Sequence, residues 1–152
     1  MTEAFVGLGA NLGDKTATLE AALAALGELP DTRLLKASSF YRSAPVDAGG
    51  PDYLNAVAKI ETGLAPEALL DALQALEQAH GRERPYRNAP RTLDLDLLLY
   101  GDQSLATERL TLPHPRLTER AFVLLPLIEI AADREDLATY VPAVSDQRIE
   151  RL

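Results

Sequence analysis

Asp94 and Asp96 stand in the stretch RTLDLDLLLY (91–100), where every other residue from Leu93 to Leu99 is leucine. Such a run suits a buried strand, yet ionised carboxylates are costly to bury unless they pair or bind a cation. Residues two apart in a strand share a face. Both carboxylates therefore sit side by side, with Leu93, Leu95 and Leu97 on the opposite face. Two adjacent carboxylates offer hard oxygen ligands to Mg²⁺ or Mn²⁺. Metals paired about 4 Å apart can clamp the attacking and leaving oxygens of a phosphoryl transfer. A solvent-facing strand with its aspartates salt-bridged to nearby arginines is the plainer alternative, and Asp-x-Asp alone is a weak signal.

The preceding residues favour the metal–phosphate reading. The chain carries a net charge of −8, yet RERPYRNAPR (82–91) holds Arg82, Arg84, Arg87 and Arg91 with no lysine. Arginine is suited to bidentate phosphate recognition. A second arginine group, Arg109, Arg116 and Arg120, flanks LPHPR (112–116), where prolines on both sides hold His114 in place. His114 suits a hydrogen-bond donor to phosphate or, equally, a hydrogen-bonded loop histidine. His80, at a helix end, reads as a C-terminal cap. In PDYLNA (51–56), Tyr53 and Asn55 share a strand face; an aromatic plane beside an amide suits a flat heterocycle, and ordinary cross-strand packing suits it too. Gln74 and Glu77, three apart, form the polar edge of a helix.

The elements that must position these groups follow from periodicity. AFVGLGA (4–10) reads as a first strand, and Asp14 caps a helix over 15–26 with Leu19, Ala22, Leu23 and Leu26 as its stripe. Residues 32–42 read as a second strand, the glycine- and proline-rich 43–52 as a loop, and 53–62 as a third strand. Pro66 opens a second helix whose apolar face is Leu69, Leu70, Leu73 and Leu76, with Gly81 at its end. The arginine loop and the strand at 93–100 follow. The order β-α-β-β-α-β is the ferredoxin-like pattern, an antiparallel α/β (α+β) sheet with helices on one side. Residues 101–152 read as an appendage: a short hairpin at 101–112, a helix in TERAFVLLPLIEIA interrupted at Pro126, and a last helix in AVSDQRIERL. One domain over 1–152 is expected.

Together these segments resemble the 6-hydroxymethyl-7,8-dihydropterin pyrophosphokinase family of folate biosynthesis. The likeness runs through GLGANLGD, SSFYRSAPV, PDYLNAV, PRTLDLDLLLYG and RLTLPHPRLTERAFVLLPL, over roughly the first 130 residues. It implies a ferredoxin-like fold and transfer of pyrophosphate from ATP to the pterin hydroxymethyl group, with release of AMP. It implies two Mg²⁺ ions held by Asp94 and Asp96, and catalytic roles for Arg82 and Arg91. It places Gln74, Glu77, Arg84, Arg87, Leu97, Arg109, Thr111, His114 and Arg120 around ATP. It places Ser43, Ala44, Val46, Tyr53, Asn55 and Phe122 around the pterin, with Tyr53 and Phe122 sandwiching the ring. Three positions depart from the family pattern: Asn88 for a tryptophan of some members, Ala89 for a glycine, and Pro115 for a tyrosine of some members.

Two other classes compete. A two-metal nucleotidyltransferase also sets paired aspartates on a ferredoxin-like sheet but releases pyrophosphate. A non-catalytic ligand-binding module has no use for two aspartates beside an arginine cluster. The acidic balance argues against a nucleic-acid partner. The chain lacks cysteine, which excludes disulfides and thiolate metal sites. The N-terminal stretch shows no basic segment followed by a long apolar run, and no stretch approaches a membrane span, so a cytoplasmic protein without membrane contact is expected. Nothing in the sequence demands more than a monomer.

Overall fold

In the computed structural model, residues 1–11, 13–44, 52–80, 93–131 and 133–152 are described. The elements run β1 (Thr2–Ala10), α1 (Lys15–Gly27), β2 (Thr32–Ala37), β3 (Tyr41–Ser43), β4 (Tyr53–Thr62), α2 (Pro66–Ala79) and β5 (Asp94–Tyr100). After them come β6 (Leu105–Ala106), β7 (Thr111–Leu112), α3 (Ala121–Ile130), a 3-10 helix (Glu135–Val144) and β8 (Ile149–Arg151). The main sheet is antiparallel in the order β5-β1-β4-β3-β8, and β2 pairs with the later half of β4. The first seven elements form the expected ferredoxin-like core.

Alternation along the strands gives the sheet two faces. Ala4, Val6, Leu8 and Ala10 of β1, Ala56, Ala58 and Ile60 of β4, and Leu95 and Leu97 of β5 join Leu19 and Leu26 of α1 and Leu69 and Leu73 of α2 in one closed apolar core. Asp14 starts α1 as read from the sequence, its Oδ1 accepting from the Ala17 N–H at 3.1 Å. The other face carries Phe5, Val57, Leu98 and Leu99, packed against Val123, Leu124, Leu127 and Ile130 of α3. Both Leu98 and Leu99 reach this side because the β1–β5 register shifts between Phe5 and Val6.

Four expectations are corrected. The strand expected at 32–42 is two strands, because Ser38 breaks the ladder: its Oγ accepts the Val57 N–H at 2.9 Å, and Ser39 turns to Glu129 of α3. Helices cover both faces of the sheet, since apolar α3 requires a second apolar layer to cover it. That helix continues through Pro126 to Ile130. Losing one N–H there is outweighed by the packing of its buried side chains. The C-terminal residues form a 3-10 helix and then β8, which pairs with β3; the exposed ladder groups of short β3 offer that strand a partner. The hairpin is present as β6–β7. Among the described residues no helix is long and apolar enough to cross a membrane.

Candidate active site

The paired aspartates lie on the α3 side of the sheet, as the strand period requires. Asp96 is opposite Gly7 and Asp94 opposite Gly9, while across β1 Gly7 and Gly9 face Val57 and Asn55. Asp94, Gly9, Asn55 and Tyr41 thus form one row across four strands. Both aspartates are half-buried. Gly9 makes the middle of that row low: a Cβ there would stand 3.5 Å from Asn55 Oδ1 and 3.8 Å from the Tyr53 ring. Asn55 is buried and donates through Nδ2 to Ser43 Oγ at 2.7 Å, and at 3.4 Å to the Tyr41 carbonyl. Its Oδ1 therefore faces the floor over Gly9 as an acceptor.

The outer edge of β5 is held by two neighbours. Glu77 of α2 is 3 % exposed, and its Oε2 accepts the Leu95 N–H at 2.8 Å, between the two aspartates. The His114 N–H donates to the Leu98 carbonyl at 3.0 Å. The Arg116 N–H in turn donates to His114 Nδ1 at 3.2 Å. An acceptor Nδ1 leaves the proton of the neutral ring on Nε2. Burial, followed by the nearby Arg120 and Arg116 charges, lowers the His114 pKa, with Asp94 opposing. A neutral imidazole with Nε2–H free to donate suits a phosphate oxygen.

Beyond His114 the chain enters α3. The Arg120 guanidinium stands 5.5 Å from the Phe122 ring centre, within cation–π range. Ser43, Ala44, Arg120 and Phe122 border one cavity of about 370 Å³, together with Arg116 and the C-terminal Gln147 and Arg148. That volume lies within the usual range for small-ligand sites. Arg120, assigned to the nucleotide, and Phe122, assigned to the pterin, thus meet at one boundary.

Other expected residues are placed differently. Tyr53 lies over Gly9 and is not among the walls of that cavity. Leu97 points into the α1–α2 core, so only its backbone faces the edge of β5. Gln74 and Thr111 are exposed. Arg109 is exposed too and is ion-paired with Asp71 of α2. Arg82, Arg84, Arg87, Arg91 and Val46 lie outside the described residues, as do Asn88 and Ala89.

Two groups escaped the sequence reading. Glu129, the one charged residue in AFVLLPLIEI, accepts from Tyr41 Oη at 2.7 Å and from Ser39 N and Oγ at 2.9 and 3.0 Å. It ties α3 to the end of the sheet that carries Ser43, and a lone carboxylate in an apolar helix was its signal. Asn11 follows β1, and among the described residues its Oδ1 alone is a buried side-chain polar atom without a hydrogen-bond partner. Its signal was an amide in GANLG, where an apolar strand ends beside the site.

The donor chemistry fits a divalent cation. Asp94 and Asp96 are adjacent hard carboxylates with glycines beside them, and Mg²⁺ takes one or two carboxylates while phosphates and water complete its shell. Paired aspartates, a histidine with its Nδ1 engaged and a cavity of small-ligand size on a ferredoxin-like sheet suit one class, a phosphoryl-transfer enzyme.

The comparisons narrow that class. A family model described as 7,8-dihydro-6-hydroxymethylpterin-pyrophosphokinase matches residues 5–132. The chain belongs to this family. It is 51% identical over 134 residues to the 2-amino-4-hydroxy-6-hydroxymethyldihydropteridine pyrophosphokinase of Haemophilus influenzae, covering 88% of this chain and 84% of that one. It is 49% identical over 130 residues to the enzyme of the same name from Pseudomonas aeruginosa, covering 85% and 80%. Among solved structures, one described as HPPK-DHPS in complex with substrates superposes with a TM-score of 0.78 at 13% identity. That match covers 99% of this chain and spans 46% of the larger one, so it speaks to the fold alone.

Proposed function

We infer that this site transfers the pyrophosphoryl group of ATP to the hydroxymethyl oxygen of 6-hydroxymethyl-7,8-dihydropterin, in folate biosynthesis. The hydroxymethyl oxygen attacks the β-phosphorus, forms the new O–P bond and gives up its proton to solvent. The bond from the β-phosphorus to the α–β bridging oxygen breaks, and AMP leaves with that electron pair. The observation that carries this reading is the row Asp94–Gly9–Asn55. It sets carboxylates for the triphosphate and an amide for the heterocycle on one strand face, two strands apart.

The chain's residues divide the work by position. Asp94 and Asp96 would hold two Mg²⁺ ions, which neutralise charge on the triphosphate. His114 donates from Nε2 to a phosphate oxygen, and Arg120 supplies positive charge between nucleotide and pterin. Arg109 exchanges Asp71 for phosphate when ATP arrives. Arg82, Arg84, Arg87 and Arg91 would bring the remaining charge, with catalytic roles for Arg82 and Arg91. Gln74 and Thr111 border the nucleotide. Tyr53 and Phe122 take the two faces of the pterin ring, while Asn55 Oδ1 and the buried Asn11 Oδ1 accept from its N–H groups. Ser43, Ala44 and Val46 close its edge. Catalysis of this kind rests on positioning and electrostatics. We assign the reaction to the cytoplasm, where ATP is supplied, and to a monomer, because this one chain supplies every group named.

Incubation with ATP, Mg²⁺ and 6-hydroxymethyl-7,8-dihydropterin tests the reading. AMP appearing in step with the pyrophosphorylated pterin is the expected result. Release of pyrophosphate would instead establish a nucleotidyltransferase, and ATP binding without turnover would establish a binding module.

A further inference from the structure

The C-terminal residues beyond the family match reach into the site. Gln147 Oε1 accepts the Ala121 N–H at 2.8 Å, and its Nε2 donates to the Glu119 carbonyl at 2.8 Å. These bonds bracket the start of α3. The first N–H groups of a helix have no partner within it, so a side chain usually caps them. Arg120, in the N-cap position, makes no such bond. Gln147, 26 residues further on, supplies the missing cap. The next residue, Arg148, borders the cavity, and Ile149 pairs with Ser43 across β8–β3. Gln147 and Arg148 thus border the cavity directly, and Ile149 pairs with Ser43, which borders it too.

We propose that Gln147 is a positioning residue for the pterin: by clamping Glu119 and Ala121 it fixes the start of α3, and with it the place of Phe122. The proposal rests on the pterin reading of this cavity. Gln147 itself is exposed, so its replacement leaves both apolar cores untouched. Phe122 is the second residue of α3. A fraying first turn would carry its ring away from the sheet and loosen Arg120 at the helix start, while leaving Asp94, Asp96 and His114 in place, since these are held by β1, Glu77 and Leu98.

Steady-state kinetics on wild type, Gln147→Leu and Gln147→Glu test this. Gln147→Leu removes both bonds, and the KM for the pterin should rise about fivefold, the scale of one lost helix cap. The KM for ATP should rise less than that for the pterin, because Arg120 alone of the nucleotide's groups lies in the clamped turn, and kcat should stay within about twofold of wild type. Gln147→Glu keeps an acceptor for the Ala121 N–H and adds charge where the helix dipole favours it, so it should recover most of the pterin KM. Amide exchange at Ala121 reads the clamp directly and should quicken in Gln147→Leu alone. A merely structural role would lower the melting temperature and move both KM values equally; that result overturns the proposal. So does a pterin KM equal to wild type in Gln147→Leu. A wild-type protein that makes no pterin-dependent AMP overturns the parent reading instead, and the proposal with it.

Discussion

The two faces of β5 are built from alternate residues of one seven-residue strand, and they do opposite things. Leu95 and Leu97 point into a closed apolar core between the sheet and α1 and α2. Asp94 and Asp96 point to the α3 side, where glycines on β1 keep the surface low and a small-ligand cavity lies beyond. The first face is held mainly by burial, with Glu77 of α2 bonding the Leu95 N–H at its edge. The second is held by polar clamps: His114 on Leu98, Glu129 on Tyr41 and Ser39, and Gln147 on α3. Apolar packing is non-directional and makes a firm base. Hydrogen bonds specify angles, which a reacting site needs.

The sharpest break in that contrast is within β5. Asp94→Ala or Asp96→Ala should abolish AMP formation while the melting temperature stays near that of wild type. Leu95→Ala or Leu97→Ala should do the reverse, costing about 2–5 kcal/mol of stability in denaturant titrations while the remaining folded protein turns over. Wild-type rates in both aspartate variants would remove the metal assignment.

A smaller effect separates two regions of the site face. Tyr53→Ala and Phe122→Ala should weaken pterin binding in calorimetry, each by about 1 kcal/mol beyond the lost area, and leave ATP binding unchanged. Equal loss of ATP affinity would show that the aromatic groups do not belong to a separate subsite.

The polar clamps should also make stability depend on pH in a way the apolar core does not. Burial, then the hydrogen bond to Glu129, pushes the Tyr41 pKa up to about 12. A phenol raised in the folded state binds more protons there than when unfolded. Its stabilisation is therefore complete below about pH 10, the unfolded value, and is lost as the pH rises towards the folded one. Burial acts to raise Glu129, but the Tyr41 and Ser39 hydrogen bonds, with Arg151, bring it net below the ordinary value. Its contribution is present above about pH 4.3, the unfolded value, and fades as the pH falls through the folded one. Stability measured across pH should show both limbs in wild type, and Tyr41→Phe should flatten the alkaline limb.

The smallest expected effect lies at the rim. Arg109 and Asp71 are exposed partners, and Asp71→Asn should leave the melting temperature unchanged. ATP binding should tighten slightly, because Arg109 no longer has to leave a partner. Weaker ATP binding in this variant would show that the pair itself serves the nucleotide.

Local pattern was enough to read the core of the fold. The i, i+3, i+4 stripes of α1 and α2, the Asp14 cap, Pro66 at the start of α2 and the alternation of 53–62 all act within a few residues, so sequence displays them. The face shared by Asp94 and Asp96 was legible for the same reason, since a strand's period of two is local. The family resemblance added roles that spacing alone left open, such as that of Tyr53.

What the sequence could not display were partners far apart along the chain. Ser38 ends β2 because Val57 and Glu129 lie beside it, and α3 runs through Pro126 because the sheet beneath it holds the turn. Residues 149–151 are a strand because β3 has an unpaired edge. Glu77 is buried because the Leu95 N–H at the sheet edge needs an acceptor, and Gln147 sits at α3 because Arg120 leaves a helix end uncapped. Each such pairing joins groups whose need for a partner arises only once the chain has folded. Periodicity decided the elements and which face each side chain takes; tertiary contact decided where elements stop and which polar groups hold the site, because a hydrogen bond depends on distance in space and not on separation in sequence.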